Sequence, residues 1–321
     1  MKNLIKKKRN FNINILLYHR VCDGAESWQL PAVKSAVFEK QIEYIKKFYC
    51  PISLNQYIDY KTLQKPLPEN GKRGYVIVTF DDGYKDNYEY AIPILRKYNV
   101  PATFYITLDF INKHSLVWTS QVSYILHKSK IKKIEFPEFG IVSIENIRQI
   151  NSTYHQIVDK YRFSDTHTHT RIIQELQSVC NVSDVPSSWP FYMSWNEVKE
   201  IASDDLFDIG GHTISHPNLV TLNKEMLHKE ISEAKSELEK MINKKLVSFA
   251  YPFGLKEDFN KDVIDEIVSA GFKGAVTAEY GFNYGNENIY TLPRIAAPFS
   301  LFKFKVKITK LGQLYMKICN S

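Results

Sequence analysis

Residues 75–83 read Tyr75-Val76-Ile77-Val78-Thr79-Phe80-Asp81-Asp82-Gly83. The first six are β-branched or aromatic, which predicts a strand covered on both faces, as strands of a parallel sheet are. Two adjacent carboxylates then stand at its C-terminal end, where strand–helix proteins place their active sites. Consecutive strand residues face opposite ways, so Asp81 and Asp82 can take different tasks if the chain turns there, and Gly83 permits that turn. One carboxylate could bind a metal while its neighbour accepts a proton from water. Asp-Asp-Gly is also ordinary turn chemistry with an N-capping aspartate, so the motif alone leaves both readings open.

Working outward, the strand-then-helix rhythm recurs. Residues 14–18 (NILLY) form a short apolar strand, and Phe38, Ile42 and Ile45 share one face of a helix over 38–48. Ser53 with Gln56, and Ser194 with Glu197, have the spacing of capping boxes that open helices. A helix runs to Tyr98 and leads to strand 102–106. The second capping box leads to strand 207–210. Over 225–242, Leu227, Ile231, Ala234, Leu238 and Met241 line one side of an amphipathic helix. Strand 247–251, helix 261–270 and strand 274–277 complete the series. Such alternation predicts an α/β fold with a parallel sheet, doubly wound or barrel. Residues 109–192 are more polar and break the rhythm, which predicts an insertion or lid within a single domain spanning 1–321, its core over about 12–300.

The 321 residues are 44% hydrophobic, enough for one sizeable core. The formal charge of +7 suits an ordinary basic surface, or peripheral contact with a membrane-borne, phosphate-bearing glycolipid. No basic block interleaved with aromatics points to nucleic acid. No apolar stretch has the length of a signal peptide or a membrane span. The four cysteines, Cys22, Cys50, Cys180 and Cys319, form no CxxC pair and read as free thiols, so a cytoplasmic location is expected.

The second motif is Gly210-Gly211-His212-Thr213-Ile214-Ser215-His216-Pro217. Histidines four apart on a single helical turn suit one divalent ion, although two unrelated surface histidines would read the same way. Pro217 keeps the turn short. One of the two aspartates with His212 and His216 makes a three-ligand set with an open position, as in catalytic zinc sites, and the other carboxylate is the adjacent candidate general base.

In order along the chain, TFDDG, VPATFYI, SWNEVKEIA, IGGHTISHPNL and SFAYPFG resemble the polysaccharide deacetylases of carbohydrate esterase family 4 (the NodB homology domain), from about residue 15 to 295. The resemblance implies a distorted (β/α) barrel of about seven βα units, with the insertion lying between the two metal-site motifs. It implies Asp81 as base and Asp82, His212 and His216 as ligands of zinc or another divalent metal. It also implies hydrolysis of N-acetyl groups on amino sugars of a polysaccharide, oligosaccharide or glycolipid precursor. An O-acetyl esterase with the same site, or a non-catalytic carbohydrate-binding barrel, are the alternatives.

The chain departs from the family pattern in three places. The third motif reads Ala250-Tyr251-Pro252-Phe253-Gly254, without the arginine that orients the base, although the Phe253 N–H can still donate to an oxyanion. Arg294 either takes that arginine's place or makes a surface salt bridge. The family's later aspartate-and-tryptophan motif is not identifiable. No histidine follows His228 to match the family's C-terminal Leu-x-His, but Leu17-Tyr18-His19 carries that pattern at the other end of the chain. First and last strands are neighbours in a closed barrel, so His19 is the candidate general acid, with a core histidine as the plainer reading. Tyr251, Arg294 and Trp118 are the candidate substrate contacts. Of the other aromatics, Trp189, Tyr192 and Trp195 are expected to pack, Trp189 being the best further candidate for a sugar platform. The Thr166-His167-Thr168-His169 run reads as solvated loop before a helix at 171–179. The basic stretch 302–315 reads as a strand or helix packed on the barrel, or as a membrane-surface contact.

Overall fold

The computed structural model describes residues 12–69, 71–113, 116–136, 138–186, 191–309 and 312. Its strands are β1 (Ile13–Tyr18), β2 (Cys50–Pro51), β3 (Tyr75–Phe80), β4 (Ala102–Ile106), β5 (Lys133–Phe136), β6 (Gly140–Ser143), β7 (Phe207–Gly211), β8 (Ser248–Ala250), β9 (Gly274–Tyr280) and β10 (Leu292–Ala296). Seven of them pair in parallel around a closed ring, β1-β3-β4-β7-β8-β9-β10, and β10 returns to β1. The fold is therefore a (β/α) barrel, and closure settles what periodicity left open. The closing contact joins Leu16 to Ile295 and Leu17 to Ala296, so the first and last strands are neighbours. The two residues of β2 pair with the start of β3.

Strand alternation sorts the side chains. Val76, Val78 and Phe80 on β3 join Leu16 and Tyr18 of β1 in the layer between barrel and helices. Ile13, Ile15, Tyr75 and Ile77 belong to a separate core in the barrel interior. Continuing that interior set with period two gives Leu17 and His19 on one strand, Thr79 and Asp81 on the next. Both capping boxes form, at Ser53 with Gln56 and at Ser194 with Glu197. The amphipathic helix runs from Lys224 to Ile242, with a π-bulge at Lys229–Glu233.

Residues 116–182 build a unit with its own core: helices Trp118–Lys128, Ile147–Tyr161 and Thr166–Cys180, and the antiparallel β5–β6 hairpin. Trp28, from the loop after β1, inserts into that core. Phe110, Ile111 and Tyr192, inside the expected insertion, pack in the barrel core instead. The Thr166–His169 run is not solvated loop. Asp165 accepts from the Thr168 N–H and starts the helix there, five residues earlier than the sequence suggested. The helix Leu301–Lys307 packs with Phe304 buried, while the Ile308 carbonyl accepts from Asn14; residues 310, 311 and 313–315 of the basic stretch, and Cys319 beyond it, fall outside the described residues. Cys22, Cys50 and Cys180 are unpaired. Among the described residues no helix is long and apolar enough to cross a membrane.

Candidate active site

Every motif arrives at the C-terminal mouth of the barrel. β1 and β3 run in register, Tyr18 opposite Phe80, and the Asp81 N–H donates to the Tyr18 carbonyl at 3.0 Å. That pairing sets His19 beside Asp81 on the interior face. Asp82 then takes a φ of 75°, a conformation aspartate tolerates better than most residues, and the turn swings its carboxylate toward the loop after β7.

There His212 Nε2 stands 3.3 Å and His216 Nε2 3.6 Å from Asp82 Oδ1. One ligand atom from each of the three residues lies within 4.8 Å of the others. His212 Nδ1 donates to the Ala250 carbonyl at 2.7 Å, which leaves the Nε2 lone pair facing Asp82. Asp82 Oδ1 is buried without a hydrogen-bond partner. An orphaned buried carboxylate oxygen facing two imidazole nitrogens has the chemistry of a divalent metal site with one oxygen and two nitrogen donors. Burial opposes ionisation of Asp82, yet the imidazoles of His212 and His216 outweigh it and hold the carboxyl below its usual range. Burial pushes His216 down to about 4, against the pull of Asp82.

The two histidines do not share a helical turn. Thr213 has φ 68° and His216 φ 60°, so the segment is a loop that winds twice through the left-handed region. Thr213 Oγ1 accepts from the His216 N–H at 3.0 Å. Glu230, at the π-bulge, accepts from the N–H groups of Ile214 and Ser215 and from the Ser215 hydroxyl, at 2.7–2.9 Å. Glu230 is a positioning residue that the sequence reading missed; its only signal was a carboxylate on the polar side of a periodic helix. The paired glycines crowd rings: a Cβ on Gly210 would stand 2.4 Å from the Tyr105 ring, and one on Gly211 2.8 Å from Phe272.

Arg294, on β10, is 1% exposed and makes no surface salt bridge. Its two terminal nitrogens donate to the two oxygens of Asp81, both at 2.7 Å, and its Nε donates to the Thr277 carbonyl. The arginine missing from the third motif is supplied from the last strand. Bonded to Asp81, Thr79 and Thr277, Arg294 holds Asp81 in place and does not itself line the cleft, unlike the substrate contact expected of it. Burial works against an ionised Asp81, but the Arg294 guanidinium more than compensates and lowers the pKa.

Phe253 follows β8 with φ 58°, its ring edge-on to His216 at 5.2 Å. Its N–H has no acceptor among the described residues. Tyr251 borders the cleft, but it is 1% exposed and its hydroxyl donates to the Tyr290 carbonyl, so it offers no free polar group. Asp81, Asp82, His19, His212, His216 and Phe253 all line one cleft of about 660 Å³, whose far wall is the insertion. Trp118 is not in that cleft; it stacks on His169 and borders a neighbouring cavity. Tyr192 stacks on Phe110 in the barrel core, Trp195 donates to Asn112, and Trp189 lies outside the described residues.

A family profile described as polysaccharide deacetylase matches residues 69–275. The chain belongs to the polysaccharide deacetylase family. It is 22% identical over 302 residues to a poly-beta-1,6-N-acetyl-D-glucosamine N-deacetylase of Staphylococcus aureus, covering 94% of this chain and 79% of that protein. Among solved structures it is similar to a Streptococcus pyogenes deacetylase in complex with acetate (TM-score 0.61, 17% identity, 92% of this chain and 97% of that one). It is also similar to a de-N-acetylase from Aggregatibacter actinomycetemcomitans (TM-score 0.57, 18% identity, 93% of this chain and 100% of that one). At these identities the structural likeness speaks for the fold. Family membership makes this polysaccharide deacetylase a hydrolase of carbon–nitrogen bonds, and enzymes of the family are in general metal-dependent.

Proposed function

We propose that the chain removes acetyl groups from N-acetylated amino sugars of an oligosaccharide or polysaccharide, with zinc held by Asp82, His212 and His216. The observation that carries the reading is the Arg294–Asp81 pair set beside that ligand set at the barrel mouth. One oxygen and two nitrogen donors with an open position favour zinc over magnesium or calcium, which prefer oxygen ligands. A divalent ion there supplies Lewis-acid polarisation of the acetyl carbonyl.

The protein's own groups do the rest. Asp81, kept ionised and fixed in orientation by Arg294, accepts the proton of the attacking water as its oxygen bonds to the acetyl carbon. The Phe253 N–H, pointed by its left-handed backbone and free of other partners, donates to the oxyanion. His19, on the opposite side of Asp81 from the ligand histidines in strand order, donates the proton that lets the sugar nitrogen leave. The carbon–nitrogen bond breaks, and the products are acetate and a free amine.

The test is acetate release from N-acetylglucosamine oligomers by zinc-loaded protein and by Asp81→Asn. Activity in the wild type and loss of at least a hundredfold in the variant, with metal retained, supports the assignment. A fully active variant refutes it. Running O-acetylated sugars in parallel separates amide from ester hydrolysis.

A further inference from the structure

The catalytic cleft has a neighbour. A second cavity, of about 450 Å³, lies across the helix Trp118–Lys128. That helix divides the two: Thr119, Ser120, Ser123 and His127 line the catalytic cleft, while Trp118 and Gln121 line the second cavity. The cavities adjoin at Phe110, Val117 and His216, which border both. His216, one of the metal-ligand set, thus stands on the ridge between them.

The chemistry of the two walls is alike. Among the described residues, neither cavity is lined by a lysine or an arginine. The acids of the second cavity are already engaged, Asp109 with Lys113 and Asp165 with the helix N-terminus at Thr168. What remains is a partly buried indole, held flat on His169 with ring centroids 4.1 Å apart and planes 8° apart. Around it stand amide and hydroxyl groups, among them Gln174, Gln177, Thr170 and Thr221. A rigid ring bordered by amides and hydroxyls matches a sugar, which presents an apolar face and a rim of hydroxyls. A phosphate or nucleotide would find no lysine or arginine among the described residues that line the second cavity.

We propose that the two cavities form one groove holding an uncharged glycan chain across the site, the second cavity binding a sugar unit adjacent to the one deacetylated. Trp118 and Gln174 are its specificity determinants. This inference rests on the deacetylase reading and names where the neighbouring sugar unit is bound.

The experiment compares kcat/KM for acetate release from N-acetylglucosamine and from its linear oligomers of increasing length, in wild type, Trp118→Ala and Gln174→Ala. Gln174 is exposed, so its replacement leaves packing untouched should the tryptophan variant fold poorly. Wild type should favour long oligomers over the monosaccharide by about tenfold or more, the equivalent of one stacked ring. Both variants should lower that ratio toward one. A flat length dependence in wild type, or variants that keep the full ratio, overturns the groove. Calorimetric titration of the same oligomers into metal-free protein reads the groove without turnover. Tighter binding of long oligomers by wild type than by either variant supports the groove, and equal binding overturns it. Absence of acetate release from every substrate would instead fall on the deacetylase reading.

Discussion

Replacing Arg294 by methionine isolates what the last strand contributes to the base. The pair is buried, Arg294 at 1% and Asp81 at 4% side-chain exposure, with two hydrogen bonds of 2.7 Å. Removing one partner of such a pair costs about 3–5 kcal/mol of stability where the other stays charged. Asp81 has a way out, which is to take up a proton. Its pKa is depressed because Arg294, helped by His212 and His19, outweighs burial; without Arg294, only the two histidines oppose burial and the pKa rises. The sign follows: the active, ionised form then requires a higher pH, so the acid limb of the kcat/KM profile moves upward. At neutral pH the loss should approach that of removing a general base, about 100- to 10,000-fold. Zinc content should stay near wild type, since Asp82, His212 and His216 are untouched. The assay is acetate release across the pH range, beside metal analysis and thermal unfolding. The double variant Arg294→Met, Asp81→Asn should be more stable than Arg294→Met alone at neutral pH, because no unpaired carboxylate remains buried. An unmoved acid limb together with a loss below fivefold would refute the reasoning.

Three further outcomes are expected. His212→Ala with His216→Ala should abolish zinc binding measured by elemental analysis, whereas Asp81→Asn retains it. Glu230→Ala frees the two N–H groups and the hydroxyl that pin the histidine loop and should weaken zinc affinity by about 10- to 100-fold in a competition titration; unchanged affinity would show the loop holds itself. Asp208, whose carboxyl burial pushes up to about 6, is an acid with a folded pKa above its unfolded one, so its contribution is present at low pH and lost as pH rises toward 6. Asp208→Asn should therefore gain about 1–2 kcal/mol at pH 7.5, less than the full shift because the group is partly exposed. That gain should vanish near pH 4 in denaturant titrations.

How much of this was legible follows from the range of each determinant. A strand buried on both faces declares itself in six residues, so β3, β4 and the carboxylates at their mouth could be read directly. The capping boxes were equally local. Barrel closure was not, because it rests on Leu16 meeting Ile295, and only the resemblance supplied it. Arg294 was ambiguous for the same reason: a lone arginine near the C-terminus declares neither a surface nor a buried partner 213 positions away. The edges of the insertion are not legible, because Phe110, Ile111 and Tyr192 share the barrel core while the sequence between them packs on itself. Trp118 was picked for its aromatic ring, but its placement depended on a helix whose start at Thr166 brings His169 beneath it.

The histidine motif teaches the converse. Its spacing suggested a helical turn, yet the ligands converge through backbone that most residues avoid. Asp82, Thr213, His216 and Phe253 all have φ between 58° and 75°, and none is glycine. Each such residue costs on the order of 1 kcal/mol or more, and β-branched Thr213 is the least suited of the four. Four together would not persist at an idle loop cluster. They persist because the barrel over-determines them. Thr213 and Ile214 carbonyls accept from Leu108 and Asp109, Glu230 clamps the loop from the helix side, and the Gly254 carbonyl accepts from Ala278 on β9. The strain is therefore spent where Asp81, Asp82, His212, His216 and Phe253 meet in one cleft. A barrel retained only to bind sugar would gain nothing from holding an unpartnered carboxylate oxygen against the imidazoles of His212 and His216.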